Sequence, residues 1–535
     1  MSCILLIYFV LSLVFTGFSA TLPKKWHESN GYGTKTEAGL GGKVYKVTNL
    51  KNSGPGSLRD GVENSGPRLI VFEVGGIIDL NDKRLVISKD NITIAGQTAP
   101  SPGITLIRGN LAAYANNVVV SHITVQLGDK VKGFPDCVNI SDKGNQNIVF
   151  NHVSVFWSKD ENLSMNGPKN VTLYKCLIAE ALQYCGHEDG EHSKGSLIFN
   201  PQNLSLIGTL YAHNAMRNPR SKDGKMLIVN GVVYNWAPGW DHKGPVAKSN
   251  EDLHDQFFNY IVHLRRMEIS FVGNVGIQGP NSRGEIFVDG HQGGPGSAYM
   301  EDNIIIDKKG KELTLYNNKE IKRLNSPPLW PKDLKSIPAH ESIYEVLRTA
   351  GSRPGDRDKH NARIIRTIAD GTGKVIDSQN DVGGYADYSG ASRSVKVPDG
   401  KESRRVWLDS LEDEIAIDRE IDLSRIYKFV GSKESDKYAS ATEVIAKEIP
   451  ALKIRSIRKY TNAKQINAHV NLPTVSNVSM IIFNVAGNVV VPESSRQLQA
   501  GGHEMISDIN HLTAGVYICR FKIENSIFNL LYHCY

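Results

Sequence analysis

Positive charge is concentrated in the stretch AHNAMRNPRSKDGK, where Arg217 and Arg220 stand either side of Pro219 and Lys222 and Lys225 follow closely. Guanidinium groups are forked donors matched to carboxylates, so two of them beside ammonium groups suit an anionic substrate. Pro219 biases Asn218 toward extended backbone, which would direct both guanidiniums from one segment into one groove. Upstream, the polar insertion GHEDGEHSKGSL supplies His187, His192 and Lys194 together with Glu188, Asp189 and Glu191. Two histidines five residues apart among acids pose the question of zinc, but no i, i+4 helical pair and no third ligand is evident in the sequence, which argues against it.

The elements that must hold these residues are short and repeated. A polar residue and an asparagine precede a brief alternating apolar run at DNITIAG (Asn91), NNVVVSH (Asn117), QNIVFNH (Asn147), KNVTLYK (Asn170) and QNLSLIG (Asn203). Such runs read as strands bounded by turn residues, and recurrence at roughly 20 to 35 residues argues for a solenoid. No long segment of helical period lies between them, so a right-handed parallel β-helix is expected: strands stack coil on coil, and asparagines at one turn bond along the stack. Insertions at the turns of one face are where a solenoid carries its site. The chain has 535 residues and a formal charge of +6. That length predicts one large domain with appendages, and the mild charge argues against nucleic acid as a partner while leaving room for a basic site facing an acidic substrate.

Several of these segments together carry a family resemblance. GGKVYKVTNLKNSGPGSLRDGV, IVFEVGGIIDL, NITIAGQTAPSPGITL, NHVSVFWSKDENLS and LYAHNAMRNPR resemble the pectate lyase family of secreted β-helix enzymes, in its bacterial subgroup. VLRTAGSRPGDRDKHNARII, followed by GTGKVIDSQNDVGGY, is similar to the segment that closes the catalytic domain there. The resemblance runs in order from about Gly41 to about Asp387. It implies β-elimination on polygalacturonate: loss of the C5 proton, α to the uronate carboxylate, and departure of the C4 oxygen. That proton is barely acidic beside a free carboxylate, so calcium and cationic side chains must first neutralise it.

The resemblance further implies roles for particular residues. Asp136 in FPDCVNI, with Asp160 and Glu161 in WSKDENLS one coil on, would be the Ca²⁺ acids; the plain alternative for each is a solvated turn residue. Ser164 stands where another acid is expected. Lys194 matches the position that reaches a substrate carboxylate or the glycosidic oxygen, His187 and His192 match site-lining positions, Arg217 matches the Brønsted base and Arg220 a carboxylate clamp. An arginine base is physically awkward, because a guanidinium ordinarily keeps its proton; a charged Arg217 would instead stabilise the enolate-like intermediate. Ser121 and Gln126 replace frequent arginines, and Tyr385 a frequent tryptophan.

At the N-terminus, MSCILLIYFVLSLVFTGFSA reads as a signal peptide over residues 1–19, cleaved after Ser19, although no Lys or Arg precedes its apolar run. Cys3 leaves with it; Cys137, Cys176, Cys185, Cys519 and Cys534 are too sparse for a disulfide framework. Cys176 and Cys185 are readable either as a pair or as small buried hydrophobes. The catalytic domain is expected over 30–396, a connector or small module over 397–470, and a C-terminal antiparallel β-sandwich over 471–535. This last part resembles the sorting domain of the type IX secretion pathway, in FNVAGNVV and INHLTAGVY, which implies a secreted or cell-surface protein; a monomer with no membrane span once the signal is removed is expected. Two other functions fit parts of the sequence: a β-helix polygalacturonase using paired acids among Asp160, Glu161, Glu188, Asp189 and Glu191, and a non-catalytic glycan-binding adhesin.

Overall fold

The computed structural model describes residues 21–237 (apart from 134, 143 and 188–189), 260–426 (apart from 284–285, 291–293, 389 and 424) and 465–534 (apart from 473–474, 485–488, 500, 509–514 and 524–525). The signal peptide expected over 1–19, Glu188 and Asp189 lie outside the described residues. The chain divides into two compact units, Met1–Val430 and Gly431–Tyr535.

Unit 1 is a right-handed parallel β-helix with three faces. One ladder runs through Lys43–Val47, Arg68–Phe72, Ile92–Ala95, Val118–Ser121, Gln146–Asn151, Lys169–Tyr174 and Gln202–Ile207. A second runs through Leu85–Ile87, Leu111–Ala113, Val138–Ile140, Glu161–Asn166 and Lys194–Phe199. The third runs from Val74–Asp79 through Ile123–Gln126, Ser154–Phe156, Leu177–Ala179 and Leu210–Ala212 to Ile304–Ile306. Two longer strands, Arg220–Val229 and Tyr260–Val272, bridge the first two ladders, pairing with one at the start and with the other at the end. The third-face strands are short; one side packs inward through residues such as Val125, Val155 and Ile178, and on the later coils the other side, at Leu177, Leu210, Val232 and Val275, is covered by helices.

The repeated asparagines hold the coils together. Each sits at positive φ, Asn91 at 60° and Asn147 at 59° among them, a conformation that asparagine tolerates better than most residues. Their side-chain amides form a continuous chain: Asn117 donates to Asn91 at 2.9 Å, Asn147 to Asn117 at 3.0 Å, Asn170 to Asn147 at 3.3 Å and Asn203 to Asn170 at 2.9 Å. One amide per coil therefore links the turns along the solenoid axis, as the sequence repeat suggested.

Helices Ala339–Thr349 and Lys359–Asp370 cover the third face, burying Ile343, Val346, Ile364, Ile365 and Ile368 against Leu177, Leu210, Val232 and Val275. Asp358 caps the second helix by accepting from His360 N and Asn361 N at 2.8 and 2.9 Å, and Gly371 closes it at φ 67°. A third helix, Lys401–Ile415, lays Glu412 against His122 and His152 on the bends between the first and third faces, each Nε2 being 4.0 Å from Glu412 Oε1. Helix Lys401–Ile415 lies beyond the boundary expected at 396 and packs on the solenoid.

Unit 2 holds two antiparallel sheets. Gln465–Leu472 pairs with Gly501–Asp508, and the order Val489–Leu498, Ser476–Asn484, Gly515–Ile523, Ser526–Cys534 makes a four-stranded sheet. The first described strand of this unit begins at Gln465. Cys137, Cys176 and Cys185 are free thiols, the first two buried, so the pairing of Cys176 with Cys185 does not form.

Candidate active site

Four successive coils deliver side chains to the leading edge of the second ladder. Asp136 stands just before strand Val138–Ile140, Asp160 just before Glu161–Asn166, Lys194 opens Lys194–Phe199, and Arg217 lies just before Arg220–Val229. In-register pairing makes them neighbours: Val138 faces Leu163, Glu161 faces Lys194, Lys194 bridges to Met216, and Leu197 faces Arg220. Parallel strands lie about 4.8 Å apart, so one coil of separation is one side-chain spacing. Sequence positions 136, 160, 194 and 217 thus become adjacent because each coil returns the chain to the same edge.

The three acids converge, with a carboxylate oxygen from each of Asp136, Asp160 and Glu161 lying within 4.8 Å of the others. Asp136 Oδ2 accepts from Asn139 Nδ2 at 2.9 Å and from Ser164 Oγ at 2.8 Å. At Ser164, where the resemblance called for an acid, the hydroxyl therefore orients one. Burial, and then the charge of Asp160, raise the Asp136 carboxyl above its ordinary range. Burial alone would also raise Asp160, but the close approach of His192 and the charges of Lys194 and Arg217 outweigh it and hold that carboxyl well below the usual range. Glu161, 3% exposed, is pushed up to about 8 by burial and by Asp160, against the pull of Arg217. Three crowded carboxylates of this kind could hold a hard, oxygen-seeking dication.

Cations line the same edge. Arg217 NH1 donates to Glu161 Oε1, and Lys194 Nζ donates to Asp160 Oδ1 at 3.0 Å. Arg217 has left-handed backbone at φ 59°, and the Asn218–Pro219 peptide is cis. Arg220 and Lys222 follow on the strand, both buried, with Lys222 Nζ 5.2 Å from the Phe199 ring. Burial, and then the charges of Arg220, Arg265 and Arg217, bring Lys222 down to about 8. Burial and the charge of Arg217 lower Lys194 as well. Positive charge is thus crowded along this edge beside the acid cluster.

Both histidines of the insertion reach this edge: His192 Nε2 lies 3.2 Å from Asp160 Oδ1 and His187 Nε2 3.8 Å from Asp160 Oδ2. Glu191 is turned away to Gln183, whose amide donates to it. Ser121 and Gln126 are buried on the first and third faces, and Tyr385 packs edge-on against Trp157 and donates to Leu127 O at 2.5 Å. None of these three joins the acid cluster.

The sequence reading missed a buried asparagine relay beneath the site. Asn214 Oδ1 accepts from Ala181 N and Asn162 Nδ2, both at 3.0 Å, while its Nδ2 donates to Ile178 O at 2.9 Å and Asn218 Oδ1 at 3.2 Å. All four hydrogen-bonding positions of this amide are filled. Asn162 directly follows Glu161 and Asn218 directly follows Arg217, so the relay ties the acid-bearing coil to the arginine-bearing one. A Cβ at Gly195 would come within 2.5 Å of Arg217 O, so glycine after Lys194 lets those two segments close on each other. The adjacency of each asparagine to a site residue was visible in the sequence, but that their side chains meet was not.

Comparison with known proteins follows the same division. Residues 462–529 match the family model of the secretion system C-terminal sorting domain, which marks the protein as secreted or cell-surface. A probable pectate lyase C of Aspergillus flavus is 31% identical over 401 residues, covering 72% of this chain and 85% of that protein. One from Emericella nidulans is 32% identical over 431 residues, covering 77% and 93%. These two relatives are fungal, whereas the sequence resemblance pointed to the bacterial subgroup. A solved Bacillus subtilis pectate lyase variant covers 63% of this chain and 99% of its own at 14% identity, with a TM-score of 0.44. Identity at this level over most of both chains makes the protein a polysaccharide lyase: it belongs to the pectate lyase family.

Proposed function

We propose that the protein cleaves (1→4)-α-D-galacturonan, polygalacturonate, by Ca²⁺-dependent β-elimination and releases 4,5-unsaturated oligogalacturonides. The observation that carries this reading is the convergence of Asp136, Asp160 and Glu161 beside Lys194, Arg217 and Arg220 on one solenoid edge. The three carboxylates would hold calcium, which supplies charge neutralisation to the uronate carboxylate. Arg220 and Lys222 supply further positive charge along the strand and orient the polymer's carboxylates; a methyl ester would use this charge poorly, so the de-esterified polymer is the better substrate. Arg217 faces C5 and stabilises the enolate-like intermediate while hydroxide or water takes the C5 proton; the electron pair of the C5–H bond becomes the C4–C5 double bond, the C4–O bond breaks, and the departing oxygen takes a proton from Lys194 or water. Glu161, in contact with the Arg217 guanidinium, orients it, and the asparagine relay fixes the distance between the two coils.

The opposed environments of Asp160 and Glu161, one carboxyl held down and the other pushed up to about 8, are also what an acid and base pair of a hydrolase would need. Arg217 sits on the Glu161 carboxylate, which suits elimination better than proton donation to a glycosidic oxygen. Mass spectrometry of the products separates these readings. Each eliminative cleavage gives one fragment whose new non-reducing end lacks one water relative to the hydrolytic product. Fully hydrated oligomers would refute the lyase assignment in favour of hydrolysis, and binding without cleavage would favour an adhesin.

A further inference from the structure

The sequence offered His187 and His192 with no third ligand; the fold brings Asp160 beside them. We propose that Asp160, His187 and His192 form a second cation site, of the nitrogen-and-oxygen class that takes Zn²⁺, Co²⁺ or Ni²⁺, sharing Asp160 with the all-oxygen cluster. One donor atom from each of the three residues lies within 4.8 Å of the others.

The setting of His192 is the first argument. Its Nδ1 lies 3.1 Å from Gly190 O, a carbonyl that can only accept, so Nδ1 is the donor and Nε2 is the ring atom directed at Asp160. A backbone carbonyl on the far nitrogen is the arrangement that orients a metal-binding imidazole. His192 is 1% exposed, and its Nε2 makes no aligned hydrogen bond although Asp160 Oδ1 is 3.2 Å away. A buried donor atom thus points at Asp160 Oδ1 across a gap that a shared cation would fill.

Spacing is the second argument. Four-coordinate zinc, with ligand bonds of about 2.0–2.1 Å, sets its donor atoms roughly 3.3 Å apart. The His192 Nε2–Asp160 Oδ1 separation of 3.2 Å already fits, while His187 Nε2 lies 3.8 Å from the other oxygen, Oδ2, so both His187 and the carboxylate must adjust to share one ion. The two imidazole rings lie 3.7 Å apart at a tilt of 31°, so His187 must swing to reach the same ion; its side chain is partly exposed. Asp160 is also partly exposed, which leaves a way in and a fourth position for water or a carboxylate.

Selectivity follows from the donors: imidazole nitrogen suits zinc-class ions, whereas Ca²⁺ seeks oxygen. An ion held here competes with Lys194 for Asp160 Oδ1 and draws Asp160 out of the all-oxygen cluster, so occupancy inhibits the lyase. That consequence rests on the proposed function; the binding itself does not.

Titration of the calcium-free full-length chain with Co²⁺, followed by calorimetry and visible absorption, tests the binding. The expected result is one equivalent bound with the intense bands of nitrogen-ligated, four-coordinate cobalt, weakened on the order of 100-fold by His192→Gln and by His187→Gln, and retained in Asp136→Asn. Failure of the wild-type chain to bind cobalt would mean that a proton occupies the gap and would overturn the proposal. So would binding that both histidine variants keep, or binding lost only in Asp136→Asn, which would assign the ion to the oxygen cluster. His187 is on the outer turn, so its variant keeps the test decisive should His192→Gln fail to fold.

Discussion

Replacing Glu412 by glutamine should stabilise the protein at neutral and alkaline pH and leave it nearly unchanged in mild acid. Glu412 is 1% exposed under helix Lys401–Ile415, accepts from Asn151 Nδ2 at 3.2 Å, and faces the stacked rings of His122 and His152. Burial is the largest influence on it and, with Asp409, outweighs the charge of Lys25, so its carboxyl is pushed from 4.5 up to about 7. A carboxyl raised by folding lends stability that is complete below its unfolded value of 4.5 and is lost as pH rises through about 7, because the folded state must then ionise a buried group that water solvates freely in the unfolded chain. The shift corresponds to about 3 kcal/mol. Burial lowers His122 and His152 well below 6.5, and they act in the opposite sense, losing stability as pH falls below 6.5. They are present in both proteins, so the difference between wild type and Glu412→Gln isolates the glutamate. Urea unfolding of the full chain from about pH 4.5 to about pH 8.5 should show the two proteins within about 0.5 kcal/mol at the acid end and the variant ahead by up to about 3 kcal/mol at the alkaline end. A difference that does not change with pH, or a wild type that is the more stable at alkaline pH, would refute the reasoning by showing Glu412 ionised and well paired.

Two further predictions concern the site. Asp136→Asn removes one carboxylate from the acid cluster and should weaken calcium binding, measured by calorimetry, on the order of tenfold or more while the Tm without calcium stays the same or rises, since a raised and buried acid is lost. Asn214→Asp keeps the shape of the relay but sets a carboxylate oxygen against Ile178 O and Asn218 Oδ1, a conflict of about 1–3 kcal/mol or more; kcat should fall at least tenfold with KM little changed, whereas Asn230→Ala, a buried asparagine of a different bend, should lower Tm and leave kcat alone.

The fold was legible because its determinants are local and repeated. The Asn91, Asn117, Asn147, Asn170 and Asn203 turns each combine a residue that accepts positive φ with an alternating run that needs a neighbouring coil to bury it, and five such units in order leave few architectures. Asp160, Glu161, Lys194 and Arg217 were picked from the sequence by motif, and their shared edge follows from the coil register. What the sequence concealed depends on contacts between distant segments. Glu412 lies in a charge-rich stretch with no solenoid punctuation, and only the packing of its helix on His122 and His152 shows it belongs to unit 1. The same holds for Asn214, whose partners come from three coils, and for Asp160 as the third neighbour of His187 and His192. The deviation at Ser164 was visible, but its use as a donor to Asp136 depends on a side-chain direction that no spacing reveals.

The measurement that bears most directly on the proposed activity is the ultraviolet absorbance of unsaturated uronate formed from polygalacturonate, followed with calcium, with a calcium chelator, and with Arg217→Lys. The account predicts a steady rise with calcium that chelation abolishes and that Arg217→Lys, which keeps one charge but loses the fork toward Glu161, reduces on the order of 1,000-fold with the fold intact. A rise that persists in chelator, or an Arg217→Lys enzyme as fast as wild type, would contradict it.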